Sequence, residues 1–328
     1  MIKNKESQTP LVNWELTASI ARTCTLESIS SLEMNASTFN DSNNYSGTSS
    51  SNSSIVIVDC VINVPLLLAA IFGNSLVLTV IVTSPSLRSQ PPMILLSGLA
   101  VSDLTVGLII QPIYIARQLS TDDFILNLSR MMATAFCSVS LSTMALISVD
   151  RVLALQFPLS YKTVVTSTRV MRTISLNCLL HFLLSSVLFF DKKLSSFVSC
   201  ALIGMYSAVT TVCYIHIYRI VRRHQLQIRK GRQAVNMETN THNIVSAKRA
   251  ALNTFIFYIC TCLCYLPWFV CRLFSEGNLP ASYSLCILTT TLIFANSALN
   301  PLLYCWRLHE LRAEVKKLIK ILIIKITC

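Results

Sequence analysis

The chain has 328 residues, of which 53% are apolar and 13% charged, about half the charged fraction of a soluble globular chain. Much of its surface must therefore face something other than water, and lipid is the solvent that fits. The formal net charge of +12, from 27 basic and 15 acidic side chains, suits nucleic acid or an acidic membrane surface alike, so the placement of the charges has to decide.

Residues 1–54 are rich in Ser, Thr and Asn, and the run from Asn43 to Ser54 has too little apolar surface to form a core. A disordered extracellular tail is expected. Asn35, Asn40, Asn44 and Asn52 each open an Asn-x-Ser/Thr glycosylation acceptor, and their clustering before an apolar span points to a lumenal or extracellular face. No apolar run follows a basic start early in the chain, so the first span is expected to act as the insertion signal.

From Ile55 onward, seven apolar blocks are long enough to cross a hydrocarbon layer, which takes about 20 helical residues. They run from Val56 to Val82, Met93 to Ile115, Met131 to Leu155, Met171 to Phe190, Phe197 to Val221, Asn253 to Phe274 and Tyr283 to Trp306. The fourth contains Arg172, Asn177 and His181 and rests on its apolar stretch from Leu179 to Phe190. An all-α, seven-transmembrane helix bundle over 55–306 is the expected fold. After it, residues 307–328 alternate Leu, Ile and Val with Arg and Lys, as a short amphipathic helix on the inner leaflet would.

Basic residues alternate in density between the spans. Arg88, Lys162, Arg169, the 222–249 cluster and the C-terminal lysines lie on one side; only Arg117, Arg130, Lys192, Lys193 and Arg272 lie on the other. Positive charge marks the cytoplasmic side, so the N-terminus is expected outside and the C-terminus inside, in agreement with the glycosylation acceptors. Topology thereby accounts for most of the net charge, and no nucleic-acid partner is needed.

An ionisable group in mid-membrane is costly, which makes Asp103 a functional candidate. Asn74 in span 1, Ser140 in span 3, and Asn296, Ser297 and Asn300 in span 7 are deep enough to surround it with oxygen and amide groups, suited to a small hard cation or a hydrogen-bond network. Asp150 and Arg151 stand together where span 3 leaves the bilayer. Pro267 and Pro301 interrupt spans 6 and 7 as candidate pivots.

These residues resemble the rhodopsin-like family of G-protein-coupled receptors over 55–320. The similarity is carried by Gly73-Asn74, the Leu99-Ala100-Val101-Ser102-Asp103 block, Asp150-Arg151-Val152, Tyr214, Cys264 to Pro267, and Asn300-Pro301-Leu302-Leu303-Tyr304. The resemblance implies a sodium and water pocket formed by Asp103 with Asn74, Ser140, Asn296, Ser297 and Asn300. It implies that Arg151, Tyr214 and Tyr304 act in engaging a heterotrimeric G protein, and that Leu159, after Pro158, inserts an apolar side chain into it. A plasma-membrane location and an extracellular ligand follow from the same likeness.

The departures from the family pattern are as informative. Tyr265 stands where Trp is usual in span 6, Tyr206 where span 5 usually has proline, and Thr261 where an aromatic is expected; span 4 has no Trp. Ala247 replaces the acid that restrains the span-3 arginine in some members, so raised basal activity is expected. Of 13 cysteines, none lies at the top of span 3, where Leu126 stands, or in the short second outer loop from Asp191 to Ser196. That absence is similar to the melanocortin receptors, while the span-2 and span-7 motifs also resemble adenosine and amine receptors. Cys271 and Cys286 are a candidate outer bridge.

Family ligand anchors are missing: the amine-receptor aspartate falls on Ala133 and the adenosine-receptor asparagine on Arg272. The outer charges are instead positive. A pocket of Tyr265, Trp268, Phe269 and Thr290 with Arg117, Arg130 and Arg272 at its rim is expected to favour an anionic ligand, a carboxylate, lipid or acidic peptide. The contrary reading has Arg117 and Arg130 snorkelling to the interface. An alternative function is a multi-span transporter or channel using the Asp103 cluster, though no inverted repeat supports it. No set of residues suited to catalysis recurs on the spans, so an enzyme is not expected.

Overall fold

The computed structural model describes residues 48–119, 122–187, 189, 191–231, 238–276 and 283–327. Among them, seven helices are long and apolar enough to cross a membrane: Ser54–Thr83, Pro91–Gln118, Asp123–Gln156, Ser167–Val187, Lys193–Arg223, Phe255–Phe274 and Ser284–Trp306, here spans 1 to 7. No strand occurs among the described residues. Asn35, Asn40 and Asn44 lie outside the described residues, as do the side chains of Asn52, Lys192 and Ala247. The helix carrying span 1 covers Thr48–Thr83, so the residues from Thr48 to Ser54, assigned to the tail by composition, are helical.

Two helices start earlier than their apolar blocks, for a shared reason. Asp122 caps span 3 by accepting from the Phe124 amide at 2.8 Å, and Asp191 accepts from the Leu194 amide at 2.9 Å as the next helix opens at Lys192. Polar residues near each start, Asn127, Ser129 and Arg130 in the one and Lys192 and Lys193 in the other, break the apolar run, so hydropathy finds the helix only after it has begun, whereas capping carboxylates mark its true start. The second outer connection is correspondingly shorter than the expected loop from Asp191 to Ser196.

Span 3 is the axis of the bundle and packs on spans 2, 4, 5 and 6, while span 7 closes the ring against spans 6 and 1. Span 2 is not a uniform α-helix: Val106–Ile110 form a π segment directly before Gln111-Pro112. Pro112 has no N–H to give the carbonyl one turn back, and the looser winding absorbs that loss between Asp103 and the outer residues of the span. Toward the end of the bundle where span 3 finishes, Val77, Val80, Leu96, Leu99, Met144, Phe257 and Tyr304 form one core. The terminal helix His309–Thr327 joins it through buried Leu311 and Val315 and leaves Lys316, Lys317 and Lys320 exposed.

Candidate functional site

Asp103 is wholly buried and cross-links three helices. It accepts from Ser297 Oγ at 2.8 Å and Asn300 Nδ2 at 2.7 Å on span 7, and from Ser140 Oγ at 3.3 Å on span 3. These donors offset the several kcal/mol that desolvating a carboxylate costs. Two expected members stand apart. Asn74 donates to the backbone carbonyls of Ala70 at 2.9 Å and Ser297 at 3.1 Å, so it ties span 1 to span 7 without a hydrogen bond to Asp103. Asn296 is buried with its Nδ2 unbonded among the described residues. At 100° per residue, Asn300 falls between Ser297 and Asn296 around the helix, and the carboxylate reaches the first two only.

Near the end of span 3, Arg151 pairs with Asp150 at 3.2 Å, and Tyr161 donates to the other Asp150 oxygen at 2.6 Å. Tyr161 lies on the loop helix Pro158–Val164. Burial first, then the hydrogen bond and charge of Asp150, push its phenol well above the usual range, so it stays a donor at physiological pH. Arg169 fixes the other end of this helix by donating to the Thr163 and Val164 carbonyls at 3.0 and 2.9 Å. Held at both ends, the helix presents Leu159 at 95% exposure. Tyr214 stacks on Tyr258, and Tyr304 sits edge-on to Phe257. Pro301 lies within span 7 directly against Gly73, and Pro267 lies within the helix of span 6.

The outer half holds a cavity of about 420 Å³ whose wall includes Arg117, Arg130, Ala133, Tyr265, Trp268, Arg272 and Thr290. The arginines therefore converge on one space. Arg117 lies over the Tyr114 ring and Arg272 over the Trp268 ring, 5.9 and 5.4 Å from the centroids, within cation–π range. Arg130 donates at 3.0 Å to both Asn127 Oδ1 and the Phe189 carbonyl. With Phe189 also edge-on to Phe124, this bond pins the second outer loop where a disulfide is missing. Lys193 is exposed and outside the cavity wall. Phe269, expected beside Trp268, lines a different cavity with span-5 residues; neighbours on a helix diverge by 100°, and Trp268 takes the side facing the arginines. Cys271 and Cys286 oppose each other with their Sγ atoms 2.9 Å apart.

A second buried carboxylate escaped the sequence reading. Asp59 in span 1 is wholly buried and accepts from Asn63 Nδ2 at 3.2 Å, Gln118 Nε2 at 3.3 Å and the Thr291 hydroxyl. Gln118 also donates to the Tyr114 hydroxyl at 3.1 Å, and both Gln118 and Tyr114 line the arginine cavity. The available signal was an acid and an amide four residues apart, one helical turn, in an otherwise apolar span. Another missed contact involves the departure at Tyr206: its hydroxyl and His181 Nε2 lie 2.8 Å apart, linking span 5 to span 4.

Comparison with known proteins agrees with this geometry. The family described as 7 transmembrane receptor (rhodopsin family) matches residues 73–202. Adenosine receptor A3 of Ovis aries is 26% identical over 285 residues, 77% of this chain and 86% of that protein. G-protein coupled receptor 3 of Rattus norvegicus is 28% identical over 256 residues, 73% and 75% of the two chains. Melanocortin receptor 4 of Danio rerio is 25% identical over 272 residues, 76% and 80%. With seven spans around the Asp103 cluster, these matches support a G-protein-coupled receptor similar to the rhodopsin family.

Proposed function

We propose that this receptor responds to an extracellular ligand with an anionic group, held in the outer cavity by Arg117, Arg130 and Arg272. The observation that carries the reading is their convergence on one cavity. Three independently snorkelling side chains would have no reason to share a space, whereas three guanidinium groups on the wall of one cavity suit a carboxylate or phosphate. The receptor is read as a plasma-membrane protein with its N-terminus outside, glycosylated at Asn35, Asn40, Asn44 and Asn52. Cys271 and Cys286 are taken to form a disulfide there.

Inside the bundle, Asp103 with the Ser140 and Ser297 hydroxyls is an oxygen set that suits a sodium ion, which would favour one arrangement of spans 2, 3 and 7. On the cytoplasmic side, the G protein meets Leu159 first as an apolar anchor. Release of Arg151 from Asp150, with movement of Tyr214 and Tyr304, then completes its seat. Pro267, Pro301 and Tyr265 lie where spans 6 and 7 would flex between the two ends. With Ala247 in place of a restraining acid, second-messenger level is expected to differ between cells with and without the receptor before any ligand is added.

The test is guanine-nucleotide exchange on a panel of G proteins with carboxylates, phosphate monoesters, acidic peptides and amines as ligands. The anionic classes should stimulate exchange and the amines should not. Arg272→Ala should lower the potency of an active anion about 10–100-fold, the range for losing a hydrogen bond to a charged group. Unchanged potency in Arg272→Ala would remove the reading. Arg130→Ala is the less clean variant because it also frees the Phe189 loop.

A further inference from the structure

A second cavity of about 270 Å³ lies deeper, between spans 3, 5 and 6. The unusual residues Tyr206, Thr261 and Tyr265 all lie on its wall. Thr261 is 6% exposed, and its hydroxyl has no hydrogen-bond partner among the described residues. A Cβ added to Gly204, also on the wall, would meet nothing within 4 Å. Small side chains at Gly204 and Thr261 thus keep open a space in a part of the bundle that would otherwise be packed. Leu141, Met144, Ile203, Leu266 and Phe269 supply most of the remaining wall, the Thr210 and Tyr258 hydroxyls there being already bonded to the Tyr206 carbonyl and to Thr211, so the surface suits hydrocarbon.

This cavity adjoins the arginine cavity, with which it shares Leu141, Ile203 and Tyr265. We infer that the two together accept a single-chain anionic amphiphile, its head group at the arginines and its hydrocarbon tail past Tyr265 in the space beside Gly204 and Thr261. The inference rests on the anionic-ligand reading above and narrows it to a ligand with an apolar chain. A short acidic peptide or a small carboxylate would satisfy the arginines but leave the deeper cavity without its matching surface. Tyr265, common to both walls, would sense the tail directly and pass its presence along span 6 toward Pro267.

The test uses the full-length receptor in phosphatidylcholine nanodiscs, with binding of butanoate, octanoate, dodecanoate, dodecyl phosphate and dodecanol read by thermal-unfolding shift against free aqueous concentration. Affinity among the carboxylates should rise with length, by up to about fourfold per methylene, the equivalent of full burial of each CH₂. Filling the cavity with Gly204→Leu, or independently with Thr261→Phe, should flatten that rise and leave butanoate binding as it was; retained butanoate binding also shows that each variant is folded. A chain-length series unchanged in both variants would overturn the tail site. If both variants flatten the series but Arg272→Ala leaves every anion unaffected, the head-group reading fails, and dodecanol binding that Gly204→Leu abolishes would mark a neutral chain site, overturning the amphiphile. Comparable binding of dodecanoate and dodecyl phosphate supports any anionic head, whereas loss of one names the other as the ligand class.

Discussion

The two halves of this receptor are built to different rules. Around Asp103, the Ser140, Ser297 and Asn300 side chains form one hydrogen-bonded cluster, and packing is so close that a Cβ on Gly73 would lie 2.8 Å from Pro301. Toward the other end, the three arginines line one cavity, and a second cavity runs inward from it past Tyr265 to Met144 and Tyr258, where a Cβ added to Gly204 would meet nothing within 4 Å. The Asp103 cluster and the Asn300 to Tyr304 segment match the family pattern, whereas the span-3 disulfide, the span-5 proline and the span-6 tryptophan are replaced, as are the residues at Thr261 and Ala247. A surface that must serve a shared intracellular partner constrains residue identity, while a ligand site is free to change with its ligand.

The sharpest way to break this division is at Leu159. A leucine that is almost fully exposed alone and buried in a complex contributes about 1.5–3 kcal/mol. Leu159→Ala should therefore weaken G-protein engagement roughly 10–100-fold by nucleotide exchange, with anion binding at the outer cavity unchanged. Equal loss at both ends would mean that the loop helix supports the whole fold, and the contrast between halves would collapse.

Next in size is a matched pair of glycines. Gly73→Ala places its new carbon against the Pro301 ring and should destabilise by about 1–3 kcal/mol, as overpacking does. Gly204→Ala adds the same atom to open space and should be neutral, or stabilising by up to about 1 kcal/mol through helix propensity. Thermal unfolding of the two in one detergent compares them directly. Similar shifts would show that the cavity beside Gly204 closes in solution.

Legibility in the sequence follows the same division. Seven apolar blocks and the Asp103 cluster were readable because mid-membrane burial makes each polar residue conspicuous. Asp59 was not, because it lies near the outer end of span 1, where an acid can be taken for an interfacial residue; only its four-residue spacing from Asn63 hints at a shared face. Phe269 and Asn296 were assigned to the right helices but the wrong sides, since adjacency in sequence hides a 100° turn. The early starts of spans 3 and 5 were hidden by polar residues close behind them, Asn127, Ser129 and Arg130 in span 3 and Lys192 and Lys193 before span 5. The deeper cavity was invisible: Thr261, Tyr206 and Tyr265 stood out singly as departures, but their common space depends on how three helices pack.

Asp59 offers a smaller test of the outer half. Asp59→Asn keeps the shape but turns one acceptor into a donor opposite the Gln118 amide, or else opposite Asn63 and Thr291. A cost of about 1–3 kcal/mol is expected for a buried polar group left unmatched. Because Gln118 and Tyr114 line the arginine cavity, anion binding should weaken with stability, while the basal exchange rate per folded receptor stays the same. A fall in basal exchange with anion binding intact would place Asp59 on the transducing side of the division.

The smallest effect concerns how the outer half compensates for what it lacks. Span 4 has no tryptophan and span 5 no proline at position 206, yet Tyr206 and His181 meet across the two helices at 2.8 Å, with the rings also edge to face. If this bond replaces the missing anchors, the residues should be energetically coupled by about 0.5–1.5 kcal/mol, the net value of one hydrogen bond. A thermal-unfolding cycle of Tyr206→Phe, His181→Phe and the double variant isolates that coupling from the packing of each ring. Additive losses would mean that the two departures are independent, each tolerated because spans 4 and 5 carry few of the bundle's demands. Coupling would mean that they are one substitution in two parts, and that tyrosine at 206 depends on histidine at 181 for its place in the fold.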